Sequence, residues 1–305
     1  MANRHKITGL SIIIPVKNEQ DAINDLCKEL MEALRQIDFK HEVIFVDDGS
    51  TDSTLDFLKK DKNLPKKNVL SYFPSKGQSE AIHHGVIASR YKYIGVIDGD
   101  GQNDPKDLIL MYEKIRSNTK IDMIQGNRYP KRNDKYIRKI VSRLANFLIR
   151  KIAGIELQDL GCGTKVFHVD VAKQLQFRGE IHRVYAAHAY LSGFRVIEMN
   201  VNHRLRKFGI SKYGYNRTWK FILDLLFLKT QYHFNFRPIY TLGSVALGFF
   251  LISVTSGMTA IILRVTSIKN YLDGSLVSLS IIMFSLSIIL FFQALIANEM
   301  MRKAN

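Results

Sequence analysis

YKYIGVIDGDGQ, residues Tyr91 to Gln102, is the stretch on which the reading of the fold turns: an apolar, β-branched run that ends abruptly in alternating Asp and Gly. A run of this length bounded by turn residues predicts a buried strand. Three more runs upstream have the same character: SIIIPV (Ser11 to Val16), EVIFVDD (Glu42 to Asp48) and the weaker NVLSYF (Asn68 to Phe73). Between them, Glu19 to Ile37 and Ser79 to Arg90 carry helical spacing. A βαβα order of this kind predicts a mostly parallel sheet covered on both faces. Such sheets bind ligands beyond the carboxyl ends of their strands, where Asn18 and Glu19, Asp47 and Asp48, and Asp98 and Asp100 stand.

Side chains two apart in an extended chain face the same way, so Asp98 and Asp100 can reach one hard cation, with the Gln102 oxygen as a third ligand. A Mg²⁺ or Mn²⁺ ion held by so few protein oxygens keeps positions open for phosphate. A calcium EF-hand loop is excluded, because Asn103 stands where it needs Gly and Ile109 where it needs an acid. An aspartyl-phosphate phosphatase also carries two such aspartates after a strand, but no matching downstream constellation follows. A plain surface turn is the bland alternative, and the second acidic cluster, Asp47 to Asp52 at another strand end, weighs against it. No Walker A sequence is present, and Gly161-Cys162-Gly163 lacks the third glycine of a dinucleotide fingerprint, having Val166 there.

Composition sets the wider frame. With 305 residues, 46% hydrophobic and 24% charged, the chain is neither disordered, collagen-like nor a disulfide-stapled miniprotein. A net charge of +16 favours polyanionic partners: nucleic acid, anionic headgroups or phosphorylated small molecules. Nucleic acid is disfavoured, since no reader motif occurs and the charge gathers on amphipathic stretches. Two cysteines, Cys27 and Cys162, make no disulfide framework or metal-ligand spacing and suit a reducing compartment.

From Ile239 to Leu263 run 25 residues without a charge, followed after a short polar link by a second uncharged stretch, Ser275 to Asn298. Each exceeds the roughly 20 residues that span a bilayer as helix, so a transmembrane hairpin is expected. Basic residues flank it on one side, with Arg217, Lys220, Lys229 and Arg237 before and Arg302 and Lys303 after. That bias places both termini in the cytoplasm. The start, MANRHKITGL, is polar and carries no secretory pattern. Arg128 to Lys151 holds nine basic residues and one acid interleaved with apolar ones at helical spacing. It and Tyr213 to Phe234 are expected as membrane-surface helices near 136–152 and 213–234. The expected division is a cytoplasmic domain over 1–235 and a hairpin over 236–305.

PVKNE (Pro15 to Glu19), VDDGSTD (Val46 to Asp52), the paired aspartates with Asp104-Pro105, GNR (Gly126 to Arg128), QDLGCGTKVF (Gln158 to Phe167) and HRLRKFGISKYG (His203 to Gly214) together resemble family 2 glycosyltransferases. Their order and spacing are similar to the branch that contains dolichol-phosphate mannose synthase and bacterial polyprenyl-phosphate (bactoprenol) glucosyltransferases, over roughly residues 8 to 230 and with a similar two-helix tail. The resemblance implies an α/β fold, a glycosyltransferase A-type nucleotide-binding domain with a mostly parallel sheet, at the inner cell membrane as a multi-pass protein. It implies inverting transfer of one hexose from a nucleotide-diphosphate sugar, of UDP or GDP, to a polyprenyl phosphate lipid, with Mg²⁺ or Mn²⁺ as cofactor. A homo-oligomer is implied as well, a tetramer in similar proteins with this tail. The alternative is a non-catalytic membrane-anchored protein that binds nucleotide sugar or acts as a scaffold.

The same resemblance assigns roles. Pro15, Val16, Asn18, Glu19, Asp47, Asp48, Gly77, Asp98 and Gly99 would bind the nucleotide sugar, and Asp98, Asp100 and Gln102 the metal. Arg128, Arg138, Ser142, Arg206 and Lys212 would hold acceptor and donor phosphates, and Arg138 and Ser142, four apart, share a helix face. Asp100 and Asp159 would be catalytic, Asp159 orienting a sugar hydroxyl, placing a cation such as Lys165 or accepting a proton. Pro74-Ser75-Lys76-Gly77 departs from the Arg-Asn that often precedes this glycine, and the QxxRW signature of processive synthases is absent. Repeated chain elongation is therefore not expected.

Overall fold

The computed structural model describes residues 7–35, 37–60, 67–128, 157–175, 182, 184–204, 238–266 and 272–304. The expected surface helices near 136–152 and 213–234 lie outside them, as do Arg138, Ser142, Arg206 and Lys212. The chain divides into two compact units, Met1–Phe227 and Leu228–Asn305.

The first unit is built on a seven-stranded sheet. Its first half alternates β1 (Ile7–Val16), α1 (Gln20–Arg35), β2 (His41–Asp47), α2 (Thr54–Lys60), β3 (Lys67–Ser71), α3 (Gln78–Ala88), β4 (Tyr91–Val96) and α4 (Pro105–Ser117). Then come β5 (Met123–Asn127), β6 (Lys165–His168), α5 (Val169–Gln174), α6 (Tyr185–Leu191) and β7 (Val196–Asn200). Spatial order is β3-β2-β1-β4-β6-β5-β7. β1 pairs in parallel with β2 and β4, β2 with β3, and β5 with β7. Among the described strands only β6 runs antiparallel, wedged between β4 and β5 with Val96 opposite Lys165. The sheet is therefore mostly parallel, as the βαβα order requires.

Strands buried on both faces explain why the early runs are continuously apolar rather than alternating. Ile12, Ile14, Val43, Phe45 and Ile97 pack with Leu108, Met111 and Tyr112 of α4 in one core. The α1 stripe Ile23, Leu26, Cys27, Leu30 recurs at three- and four-residue spacing and is fully buried against that core. α4 starts where its sequence says it should: the Asp104 carboxylate accepts the Lys106 backbone N–H at 3.0 Å, and Pro105 occupies the first turn. Cys27 and Cys162 are both free and buried.

The second unit is a pair of helices, α7 (Pro238–Val265) and α8 (Leu272–Ala304). Within them Ile239–Val265 and Gly274–Met300 are long and apolar enough to cross a bilayer. Small side chains form the seam: Ala246, Ser253, Ser256, Ala260, Ser287 and Ala294 are buried, while Leu247, Leu251, Ile261, Ile281, Ile289 and Phe292 are exposed. Ser253 Oγ donates to Ser280 O at 2.9 Å and Ser280 Oγ to Ser253 O at 2.8 Å. Small residues and hydroxyls inside with large apolar groups outside is the pattern helices adopt in lipid, not in a water-facing bundle.

Candidate active site

The carboxyl ends of β1, β2 and β4 lie side by side, because β1 is paired with both of the others. That register gathers the motif residues. The Asp48 backbone N–H donates to Val16 O at 2.9 Å, and Gly99 packs so closely on β1 that a Cβ there would lie 2.7 Å from Val16 Cγ1 and 3.0 Å from Pro15 O. Only glycine lets the aspartate loop approach β1 this far.

On the side of β1 and β2, Asn18 adopts a left-handed conformation (φ 51°). Its Oδ1 accepts the Thr51 N–H at 2.7 Å and its own N–H donates to Ser50 Oγ at 2.9 Å. The Glu19 N–H donates to Thr54 Oγ1 at 2.9 Å, and its carbonyl opens α1. Asp47 is buried: Oδ2 accepts the Ser50 N–H at 3.2 Å, and among the described residues Oδ1 has no partner. A buried carboxylate oxygen without a donor is costly in isolation and fits a ligand that brings an N–H or O–H. Asp48, in contrast, is spent on the loop before α3. It accepts Ser75 Oγ–H at 2.7 Å and the N–H groups of Lys76 at 2.7 Å and Gly77 at 3.0 Å. Lys17 Nζ donates to the same Ser75 Oγ at 2.8 Å. Asp48 and Gly77 therefore meet each other, and Pro74-Ser75-Lys76-Gly77 is shaped by that carboxylate.

The β4 tip carries the acids. Asp98 Oδ1 accepts Gln78 Nε2–H at 2.7 Å, and a Cβ on Gly163 would fall 1.9 Å from Asp98 Oδ2, so the aspartate rests directly on the backbone before β6. Burial, then the charge of Asp100, push the Asp98 carboxyl above its ordinary range, against the pull of Lys165, Arg128 and Gln78. Asp98 and Asp100 thus share one electrostatic neighbourhood. The Gln102 N–H donates to Asp100 Oδ1 at 3.2 Å, and Gln102 Nε2 donates to Arg204 O at 3.1 Å.

Arg128 and Asp159 face each other. Nε donates to Oδ2 at 2.8 Å, Nη2 to Oδ1 at 3.0 Å, and the Arg128 backbone N–H to Oδ2 at 3.0 Å. Burial opposes the guanidinium's charge, but this two-pronged pair outweighs it and holds Arg128 firmly protonated. Lys165 is almost fully buried, its Nζ donating to His182 O at 2.9 Å. Burial lowers its pKa, while Cys162, Asp98 and Asp159 work the other way. The Cys162 thiol is itself pushed up to about 11 by burial. Ser79 Oγ lies 2.8 Å from His182 Nδ1 and accepts the His182 backbone N–H at 3.1 Å.

Sequence reasoning did not single out Gln78, Gly163, His182 or Arg204, and named Lys165 only as a partner for Asp159. Gln78 follows Gly77 directly, and Gly163 stands in the GCG run; those neighbourhoods were the available signals. For a cation, the described residues offer no cluster of three His, Cys, Asp or Glu. Two carboxylates and the Gln102 amide oxygen make an all-oxygen set suited to a hard divalent ion that completes its sphere with water and phosphate oxygens. A cation there would also offset the burial and the Asp100 charge that together raise Asp98.

Residues 11–176 match the family model of glycosyl transferase family 2. Over 245 residues, 78% of this chain and 72% of the relative, the sequence is 35% identical to dodecaprenyl-phosphate galacturonate synthase of Rhizobium johnstonii. Over 260 residues, 83% of this chain and 77% of the relative, it is 28% identical to undecaprenyl-phosphate 4-deoxy-4-formamido-L-arabinose transferase of Proteus mirabilis. Among solved structures, glucosyl-3-phosphoglycerate synthase from Mycobacterium tuberculosis, in complex with Mn²⁺, UDP and glucosyl-3-phosphoglycerate, superposes with a TM-score of 0.56 at 16% identity, covering 76% of this chain and 80% of that one. Mannosyl-3-phosphoglycerate synthase from Rubrobacter xylanophilus gives 0.57 at 12% identity, covering 74% of each chain. At such identities the structures speak to the fold alone.

Proposed function

The chain belongs to glycosyl transferase family 2, and on that premise we propose that it moves a single sugar, with inversion, from a nucleotide-diphosphate donor to a polyprenyl phosphate at the cytoplasmic membrane face. The observation that carries this reading is the β4 tip: Asp98 stands beside Asp100 and within the charge of the mostly buried Arg128 and the buried Lys165, and on the far side of β1 the end of β2 carries Asp47, whose Oδ1 has no partner among the described residues. The polyprenyl acceptor follows from the two relatives, each named for a polyprenyl phosphate. One of those names carries a galacturonate and the other a formamido-arabinose, so the transferred unit is proposed as a glycosyl residue not restricted to the hexose expected from sequence.

A phosphate monoester has a second pKa of about 6 and is mostly ionised at neutral pH, so the acceptor oxygen needs little help from a base. Asp159, with both oxygens on Arg128, then acts as a positioning residue for that guanidinium, and Arg128 and Lys165 supply positive charge where the diphosphate departs. Asp98, Asp100 and Gln102 would hold Mg²⁺ or Mn²⁺, which when bound supplies charge neutralisation to the leaving diphosphate. Asn18, Glu19 and Asp47 would line the nucleotide, with Asp48 and Gly77 shaping the loop beside it. A non-catalytic scaffold is disfavoured, since it would have no use for an acid pair set against Arg128 and Lys165.

The test is transfer itself. Membranes containing the protein, given polyprenyl phosphate, Mn²⁺ and a panel of radiolabelled UDP- and GDP-sugars, should move label from one donor into the chloroform phase. Asp98→Ala and Asp100→Ala should each lower the rate at least about 100-fold, as expected for loss of an electrostatic stabiliser. Label that stays aqueous for every donor would remove the reading.

A further inference from the structure

The loop that leaves β4 is fastened by residues that the proposed reaction does not use. Residues 102–104 run antiparallel to 203–204: Asn103 and His203 form an isolated bridge, and the Arg204 N–H donates to Gln102 O at 2.8 Å. Gln102 Nε2 donates back to Arg204 O at 3.1 Å. Just before His203, Asn202 gives both its backbone N–H and its side-chain Nδ2 to the Asp107 carboxylate of α4. The Arg204 guanidinium then divides between two acids on separate elements. Nη1 donates to Glu29 Oε1 on α1, and Nη2 to Asp104 Oδ2 at 3.1 Å, while Asp104 Oδ1 caps α4. Gln102 is held at main chain and side chain by one residue, and that residue is tied to α1, to α4 and to the chain leaving β7.

We propose that Arg204 is a positioning residue for the metal-binding loop and acts through Gln102; the inference rests on the metal role given to Gln102 above. A glutamine side chain turns about three bonds, and either end of its amide can face a cation site. By accepting the amide N–H at its own carbonyl, Arg204 consumes the nitrogen end and leaves the oxygen as the end available to a hard cation. The planar guanidinium is what makes the anchor stiff, because its fork reaches two carboxylates at once, which a lysine ammonium on a flexible stem does not do with the same geometry. Partners that orient a metal ligand without touching the metal commonly change affinity by about 10-fold or more.

The experiment titrates the purified full-length protein with Mn²⁺ alone, reading free Mn²⁺ by electron paramagnetic resonance, with thermal midpoints recorded in parallel. Arg204→Ala should weaken Mn²⁺ binding about tenfold, and Arg204→Lys less than that. Gln102→Ala should weaken it to a similar degree, and adding Arg204→Ala to Gln102→Ala should cause no further loss. A merely structural role would lower the thermal midpoint and leave the two effects on affinity independent. Wild-type affinity in Arg204→Ala, or losses that multiply in the double variant, would overturn the proposal while leaving the metal site intact. A wild type that binds no Mn²⁺ would overturn the metal site itself. Should Arg204→Ala not fold, Glu29→Ala removes one of the two anchors outright, and wild-type affinity in that variant overturns the proposal equally.

Discussion

Asp159 accepts three hydrogen bonds from Arg128 at a position almost closed to water, so each of the two charges is tolerable only because of the other. Asp159→Asn leaves a mostly buried guanidinium without its main counter-charge, and the expected cost is about 3 kcal/mol of stability, read as a lower thermal midpoint, with transfer lost. A variant that kept both midpoint and rate would show the pair to be dispensable. Two imidazoles outside the apolar helices make the fold sensitive to mild acid. Burial holds His168 and His188 below the ordinary value of 6.5. The unfolded chain then binds protons that the folded one refuses, so stability is whole above pH 6.5 and falls as the pH drops below it. Denaturant titrations at pH 7.5 and at pH 5.5 should show the loss, and His188→Gln should reduce the difference. At this scale Asp47, Asp98 and Asp100 were legible because each closes a local strand pattern. The Arg128–Asp159 pair was not, since its members are 31 positions apart and nothing local marks either as the other's partner.

Of the early elements, α1, β2, β3 and α3 lie close to the bounds their sequence patterns predict, but β1 begins at Ile7 rather than Ser11, and α2 and α4 have no counterpart in the sequence reading; nor do the elements from β5 to β7. α1 was expected from Glu19 to Ile37 and runs Gln20–Arg35; α3 was expected from Ser79 to Arg90 and runs Gln78–Ala88. β4 stops at Val96 rather than Asp100, where the chain turns through Gly99 to Gly101. β5, β6 and β7 are four or five residues long, too short for a period to declare itself, and β6 is given its place by pairing with β4 and β5 rather than by its own composition. The apolar helices were plain from length alone, but their seam was not. Gly257 faces Ser280, where a Cβ would lie 2.9 Å from Oγ. Gly257→Leu should therefore force α7 and α8 apart, break the reciprocal Ser253–Ser280 bonds and lower the midpoint of the purified protein in detergent. An unchanged midpoint would mean that the seam does not depend on this contact.

At the level of the whole chain, a basic sequence with two long apolar helices at its end predicts a protein that stays with lipid by burial rather than by charge. Alkaline carbonate, which strips proteins held by surface charge, should leave the full-length protein in the membrane pellet; release into the wash would count against a spanning hairpin. The antiparallel arrival of β6 has a further bearing on how the molecule is made. Val96 and Lys165 are neighbours in the sheet but far apart along the chain, as are Gln102 and Arg204. On the ribosome the aspartates emerge well before the lysine that offsets them and the arginine that pins their loop. A translation product released early would carry the acidic tip without its balancing residues, and catalytic competence would come only with synthesis of the later half.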